Sequence, residues 1–209
     1  MKNDKMHVQY GCGLWAPPNW INFDASPSLR LQRKPLLGAL SKRMGLPVFP
    51  PNVRYGNIVK GLPVSSASCE AVYCSHVLEH LAFEDAVVAL RNSWEILETG
   101  GIFRIVVPDL EWEMKTYLNS TAEGASIQFM ENTFLGYRSR PHGFNLVKHY
   151  FGNSRHLWMW DFKALAAQLK SAGFSSVRRA RFGDSSLLCF KEVEDEGRWT
   201  NAVGIECLK

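Results

Sequence analysis

The strongest constraint on the fold is a predicted helix that leads directly into a predicted buried strand. From Glu84 to Glu98 the apolar residues recur every three or four positions, which is the spacing of one face of an amphipathic α-helix. Gly100-Gly101 follows and predicts a left-handed end to the helix. Ile102–Val107 is then almost continuously apolar up to Pro108, as in a strand buried on both faces of a parallel sheet. We therefore expect a parallel sheet covered by helices.

Further strand and helix patterns alternate along the chain. Strands are predicted at Met6–Tyr10, Trp20–Phe23, Val53–Tyr55, Ala71–Cys74, Ser176–Phe182 and Val203–Leu208, and helices at Leu36–Met44 and, with Asp161 as N-cap, from Phe162 to Gly173. This alternation predicts a Rossmann-like, doubly wound, mostly parallel α/β sheet in one domain spanning residues 1–209. Residues 111–160 do not follow this alternation of strands and helices. They are predicted to form an inserted lid on the acceptor side of the domain.

Composition excludes several classes of protein. The 209 residues are 46% hydrophobic and 21% charged, which is globular and not disordered. The five cysteines are odd in number and show no CxxC spacing, so we expect reduced thiols and a cytoplasmic protein. No apolar run is long enough to span a membrane, and the first residues lack the apolar core of a signal peptide.

The net charge of +4 is unevenly distributed. No acidic residue lies between Asp24 and Glu70, or from Asn132 to Trp160. The second of these stretches contains the cations Arg138, Arg140, Lys148 and Arg155. One face of the protein is therefore expected to meet a negatively charged ligand.

The first two predicted strands carry a candidate ligand site. Gly11-Cys12-Gly13 follows the first strand, and Asp24 ends the second. Ligands of open α/β sheets bind beyond the carboxyl ends of the strands, and a carboxylate with two acceptor oxygens suits a ribose diol. Pro17-Pro18 leaves no room for the helix that would hold a pyrophosphate. A nucleoside-type ligand is therefore favoured over a dinucleotide.

Six segments in order resemble the class I S-adenosylmethionine-dependent methyltransferases, in particular small bacterial predicted members of the type 11 kind. The matching segments are Gly11–Gly13, Trp20–Asp24, Gly61–Pro63, Tyr73–Leu81, Leu97–Leu110 and Ala172–Phe174. The resemblance covers most of residues 6–182. It implies a class I methyltransferase fold and S-adenosyl-L-methionine as cofactor.

The resemblance also implies roles for individual residues. The cofactor site would comprise Gly11, Cys12, Gly13, Asp24, Asn57, Ser75 and His76. Within it, Asp24 would bind the ribose hydroxyls, Asn57 would replace the usual acidic contact to adenine, and Ser75 and His76 would lie beside the methionine part. The chain departs from the family where Trp15 replaces a third glycine and where the first crossover helix is nearly absent.

A hydroxyl acceptor needs a group that removes its proton. The catalytic candidates are His76, Glu79, His80 and His149, with Asp109 and His156 as further titratable groups. For each of them a structural role, such as a local hydrogen-bond pair, is the competing interpretation. The spacing of His142, His149 and His156 is not typical of metal ligands, so no metal site is predicted.

The resemblance implies methyl transfer, and we expect chiefly O-methylation of a small-molecule or carbohydrate acceptor. The basic segments favour an acceptor that carries phosphate, such as a nucleotide-sugar or a lipid-linked sugar. One alternative is a non-catalytic cofactor-binding module, and another is a nucleic-acid or protein methyltransferase. Nucleic acid is disfavoured because Ser75–Leu78 stands where such enzymes carry an Asn/Asp-Pro-Pro-aromatic motif. The sequence does not determine the oligomeric state.

Overall fold

The fold is built on one seven-stranded sheet. A computed structural model describes residues 5–34, 43, 46–140 and 155–209. The sheet has the order β3-β2-β1-β4-β5-β7-β6, and all pairs are parallel except those made by β7. The strands are β1 Met6–Tyr10, β2 Ile21–Asp24, β3 Val53–Tyr55, β4 Cys69–Ser75, β5 Leu97–Pro108, β6 Ser175–Ala180 and β7 Ala202–Leu208. The predicted Rossmann-like, mostly parallel sheet is confirmed.

Helices alternate with these strands. The α-helices are α1 Pro27–Gln32, α2 Phe83–Ile96, α3 Leu110–Leu118, α4 Ala125–Asn132 and α5 Phe162–Ser171, and short 3₁₀ helices lie at Ile58–Lys60, Leu78–His80, Leu188–Glu192 and Glu196–Trp199. Asp161 caps α5 as predicted, because its side chain accepts a hydrogen bond from the Ala164 amide at 2.7 Å. No helix in the described part of the chain is long and apolar enough to cross a membrane.

The side chains of β4 alternate between two hydrophobic clusters. Val72 and Cys74 belong to the larger cluster, which includes buried residues of α2 and α5. Ala71 and Tyr73 belong to a second cluster with Phe190. Because successive side chains of a strand point to opposite faces of a sheet, the helices cover one face and the segment between β6 and β7 covers the other.

The predicted end of the central helix is wrong. The helix α2 ends at Ile96, and Leu97 is already extended with φ −71° and ψ 140°. Leu97 is fully buried and pairs with Cys69 of β4. Gly100, at φ +80°, therefore lies within the first part of β5 rather than capping the helix. Burial of Leu97 in the sheet outweighs the local signal of the two glycines.

The predicted insertion contains the two short helices α3 and α4, which contact each other. Residues 141–154 lie outside the described part of the chain, as does all but residue 43 of the helix predicted at Leu36–Met44. The role of residues 111–160 as a lid stays a prediction.

The sequence patterns give no indication of how the segment between β6 and β7 is held. Arg104 of β5 is fully buried and donates hydrogen bonds to Asp184 and Glu206, each at 2.9 Å, and to Glu194. It also donates to the Arg181 carbonyl. These four contacts attach residues 181–206 to the sheet. The same segment also contributes residues to the candidate active site.

Candidate active site

The turn after β1 requires glycine at two positions. Gly11 and Gly13 have φ values of +66° and +56°, which residues other than glycine rarely adopt. At Gly11 there is a second reason, since a Cβ atom would lie 2.1 Å from Cγ2 of Val77. The backbone of β1 and the residues after β4 are thus packed closely together at the carboxyl end of the sheet.

Asp24 organises this glycine turn. Its carboxylate is buried and accepts hydrogen bonds from the Gly13 amide at 2.9 Å and from the Ser26 amide at 2.7 Å. Each carboxylate oxygen has more than one acceptor site, so both oxygens retain capacity for a further donor. Asp24 is therefore fixed in position, and both of its oxygens can accept further hydrogen bonds.

A cavity of about 250 Å³ opens beside this turn. Its wall includes residues 9–15 together with Tyr73 and Ser75 of β4, and Val193, Asp195 and Arg198 of the segment between β6 and β7. Of the predicted cofactor residues, Gly11, Cys12, Gly13 and Ser75 line this cavity together, whereas Asp24, Asn57 and His76 do not. Asp195 and Arg198 were not among the sequence candidates, because neither belongs to a recognised motif.

Two buried hydroxyls at this cavity make no hydrogen bond to the described residues, namely Tyr73 Oη and Ser75 Oγ. Burial raises the pKa of Tyr73 to about 12, so its hydroxyl is a donor at neutral pH. Burial also raises the pKa of the Cys12 thiol to about 12, which makes that thiol a neutral wall group. Unpaired hydroxyls beside a glycine turn fit a polar ligand such as S-adenosylmethionine.

Asn57 lies next to this region, in the loop after β3. Its Oδ1 accepts a hydrogen bond from the Val59 amide at 2.9 Å and so caps the 3₁₀ helix at Ile58–Lys60. The neighbouring Gly56 amide donates to the Asp24 carbonyl at 3.1 Å. The position beside Asp24 agrees with an adenine contact, but this role of Asn57 stays a prediction.

His76 follows β4 in a left-handed conformation, with φ +54°. Its Nε2 lies 2.8 Å from the Arg198 carbonyl, and its Nδ1 lies 3.3 Å from Glu79 Oε1. Burial lowers the pKa of His76, but the Glu79 carboxylate and the Arg198 carbonyl outweigh it and hold the pKa above the ordinary value. With both ring nitrogens facing acceptors, His76 is arranged as a proton donor rather than as a free base.

The structure brings three of the four catalytic candidates together. Glu79 and His80 lie on the 3₁₀ helix that follows His76. His156 lies against them, with its ring centroid 5.1 Å from that of His80. His149 lies outside the described residues. Asp109 instead caps α3, because its Oδ1 accepts a hydrogen bond from the Glu111 amide at 2.9 Å.

The aromatic residues at 158–160 differ in accessibility. Trp160 is buried and belongs to the main hydrophobic cluster. Trp158 is 43% exposed and lies against Phe83, with ring centroids 4.9 Å apart. Of these two tryptophans, only Trp158 is thus available for contact with a substrate ring.

Comparisons with known proteins find methyltransferases that share this fold. A family model described as a methyltransferase domain matches residues 23–105. Among solved structures, PigF with SAH is 16% identical over 98% of this chain and 50% of its own, with a TM-score of 0.52. A SAM-dependent methyltransferase from Thermotoga maritima is 18% identical over 98% of this chain and 82% of its own, with a TM-score of 0.51.

This chain thus spans about half the length of the PigF chain. No curated protein sequence matches it. At such low identity the solved structures establish the common fold, and the family model adds the methyltransferase segment from β2 to β5. Residues 23–105 thus match a methyltransferase domain model, and the whole chain shares the fold of solved SAM-dependent methyltransferases.

Proposed function

We propose that this chain transfers the methyl group of S-adenosylmethionine to a hydroxyl of a small-molecule or carbohydrate acceptor. The observation that carries the proposal is the cavity at the carboxyl ends of β1 and β4, beside the glycine turn and Asp24. This is the place where open α/β sheets bind their ligands. The free cysteines agree with a reducing compartment. The proposal therefore includes a cytoplasmic location.

The cofactor supplies an activated methyl group, and the protein supplies binding and alignment. Asp24 would bind the ribose hydroxyls, while the glycine turn lets the ligand approach the backbone. Arg198 lines the cavity and donates a 3.2 Å hydrogen bond to the Ser75 carbonyl. Its guanidinium and the unpaired hydroxyl of Ser75 are suited to bind the carboxylate of the methionine part.

An acceptor hydroxyl also requires alignment and loss of a proton. Of the catalytic candidates in the described residues, Glu79 and His80 are the ones that can accept a proton, since His76 faces acceptors on both sides. Trp158 offers an exposed aromatic face on which a sugar ring could stack. We therefore place the acceptor on the side of β4 where residues 76–80 meet residues 155–158.

A phosphate group on the acceptor is the finer part of the proposal. Arg138 forms an ion pair with Glu131, and the Arg155 guanidinium lies 3.8 Å from the centre of the Tyr137 ring. Both cations therefore have contacts within the protein. Preference for neutral over phosphorylated acceptors in kinetic assays would reject this finer part and leave methyl transfer itself intact.

Calorimetric titration with S-adenosylmethionine and S-adenosylhomocysteine tests the cofactor site. Wild type is expected to bind both, and Asp24→Ala is expected to bind at least about tenfold more weakly, because a bidentate hydrogen-bond acceptor is lost. Asp85→Ala is the matched control, since Asp85 is an exposed carboxylate in the first turn of α2. Unchanged binding by Asp24→Ala would show that the assigned site is wrong.

Turnover assays separate the proposal from its alternatives. The enzyme is expected to convert S-adenosylmethionine into S-adenosylhomocysteine only with an acceptor from a panel of sugars, nucleotide-sugars and small alcohols. Cofactor binding without turnover on any acceptor would favour a non-catalytic module. Binding of RNA or DNA that weakens steeply with salt would favour a nucleic-acid substrate.

A further inference from the structure

Three potential metal ligands lie together beyond β4, outside the wall of the cofactor cavity. Glu79 and His80 are adjacent on the 3₁₀ helix Leu78–His80, and His156 comes from a segment far away in sequence. One donor atom from each residue lies within 4.8 Å of the other two. His80 Nε2 is 3.9 Å from Glu79 Oε1.

The carboxylate of this cluster lacks hydrogen bonds. Glu79 is 1% exposed, and neither of its oxygens has a hydrogen-bond partner within the described ranges. The nearest imidazole outside the cluster is that of His76, whose Nδ1 is 3.3 Å away without the alignment of a hydrogen bond. A buried carboxylate with no hydrogen bond is costly, so its position is explained best by a cation that binds there.

Each histidine of the cluster has a ring nitrogen that can keep a lone pair. His80 Nδ1 lies 2.8 Å from the Arg155 carbonyl. A carbonyl only accepts, so Nδ1 carries the proton and Nε2 keeps its lone pair. His156 Nδ1 is buried without a partner among the described residues, and the hydrogen bond of His156 to the Thr133 backbone uses the other ring nitrogen. Metal-binding histidines typically donate their second N–H to a carbonyl in this way.

We propose that Glu79, His80 and His156 bind one divalent first-row transition-metal ion, with Zn²⁺ as the reference ion. Two imidazoles and one carboxylate form a ligand set typical of zinc, with bonds of about 2.0–2.2 Å. Mg²⁺ prefers oxygen ligands throughout. The proposal departs from the prediction of no metal site, which considered only the spacing of His142, His149 and His156.

The ion would join two segments that already touch. The Leu157 and Trp158 amides donate to the Glu79 carbonyl at 2.7 and 3.2 Å. An ion bound to both segments would fix Trp158 beside the acceptor region and would neutralise Glu79. A bound ion would occupy the lone pairs of Glu79 and His80, so these two groups would not act as proton acceptors while it is bound. Metal binding and methyl transfer are measured separately, so the failure of one is distinguishable from the failure of the other.

Metal binding is tested on the full chain, free of any affinity tag and stripped with a chelator. Titration with ZnCl₂ is expected to show one ion per chain, and Co²⁺ is expected to give the visible absorption of a low-coordinate centre. Glu79→Gln and His156→Gln are expected to weaken Zn²⁺ binding at least tenfold, because each removes one of three protein ligands. MgCl₂ is expected not to compete.

His7→Gln is the matched control, since His7 also lies near a carboxylate, with Nε2 3.1 Å from Glu70, but far from this cluster in the sheet. It should bind Zn²⁺ like wild type. Far-ultraviolet circular dichroism and cofactor titration show whether each variant is folded. Absence of Zn²⁺ binding by wild type, or equal binding by folded His156→Gln, would overturn the proposal.

Discussion

Two clusters of buried charge lie in this molecule, and they differ in how completely their hydrogen bonds are made. Around Arg104, one fully buried guanidinium donates to three carboxylates and a carbonyl. Around Glu79, a buried carboxylate has no hydrogen bond in the described residues, and a possible ligand nitrogen of His80 and one of His156 lie within 4.8 Å of it. Burial alone therefore does not distinguish a structural cluster from a binding one.

The difference follows from the free energy of burying polar groups. A buried charged group whose hydrogen bonds are all made holds the chain in one arrangement, and removal of that group destabilises the fold. A buried polar group without partners is retained only where something else, such as a ligand, offsets its cost. We therefore interpret the Arg104 cluster as the attachment of residues 181–206 and the Glu79 cluster as a binding site.

The largest expected effect comes from Arg104→Met. The substitution leaves Glu194 and Glu206 buried without their main partner, and breaking such a buried cluster typically costs about 3–5 kcal/mol. Urea denaturation should show this loss in the free energy of unfolding. Arg91→Met, on the exposed side of α2, is the control and should change it by less than about 0.5 kcal/mol. An equally small change for Arg104→Met would contradict a structural role.

The sequence predicted the sheet well because local patterns carry that information. Most strand patterns were close to the observed bounds, and Asp161 caps α5 as expected. The helix end at Ile96 was missed because tertiary burial of Leu97 decided it. Arg104 was read as one charged residue in an apolar strand, since its partners lie at least 77 residues further along the chain.

For the candidate site, the sequence could indicate only the residues that follow directly after predicted strands. Gly11, Gly13 and Asp24 follow the first two strands, and the hydrogen bond between Gly13 and Asp24 confirms that they are neighbours. Arg198 reaches the cavity only through long-range packing, so no spacing rule could identify it. His156 was a titratable candidate from the sequence, but its position beside Glu79 and His80 required the structure.

A smaller effect is expected from acid. Burial raises the pKa of Asp184, but hydrogen bonds from Arg178, the Arg181 amide and Arg104 outweigh it and lower the pKa to about 2. A carboxyl group whose pKa is depressed in the folded state stabilises the fold above its ordinary pKa, and this contribution is lost as the pH falls through the folded value. Because Asp184 is about one-third exposed, we expect about 1 kcal/mol.

The measurement compares unfolding of wild type and Asp184→Asn between pH 6 and pH 2. The advantage of wild type should be constant above about pH 5 and should shrink towards pH 2. Asp85→Asn should show no comparable trend, because Asp85 is exposed in the first turn of α2. If the difference in the free energy of unfolding between wild type and Asp184→Asn does not depend on pH, the Asp184 carboxylate is not stabilised by the Arg104 cluster.

The smallest expected effect on stability is that of Glu79→Gln in the presence of a chelator. If the carboxylate serves a ligand rather than the fold, its neutral isostere should change the free energy of unfolding by no more than about 1 kcal/mol, because no hydrogen bond is lost and a buried charge is removed. Addition of ZnCl₂ should then raise the melting temperature of wild type but not that of the variant. A loss near that of Arg104→Met without metal would instead make Glu79 a structural partner of His76, and the two clusters would be alike.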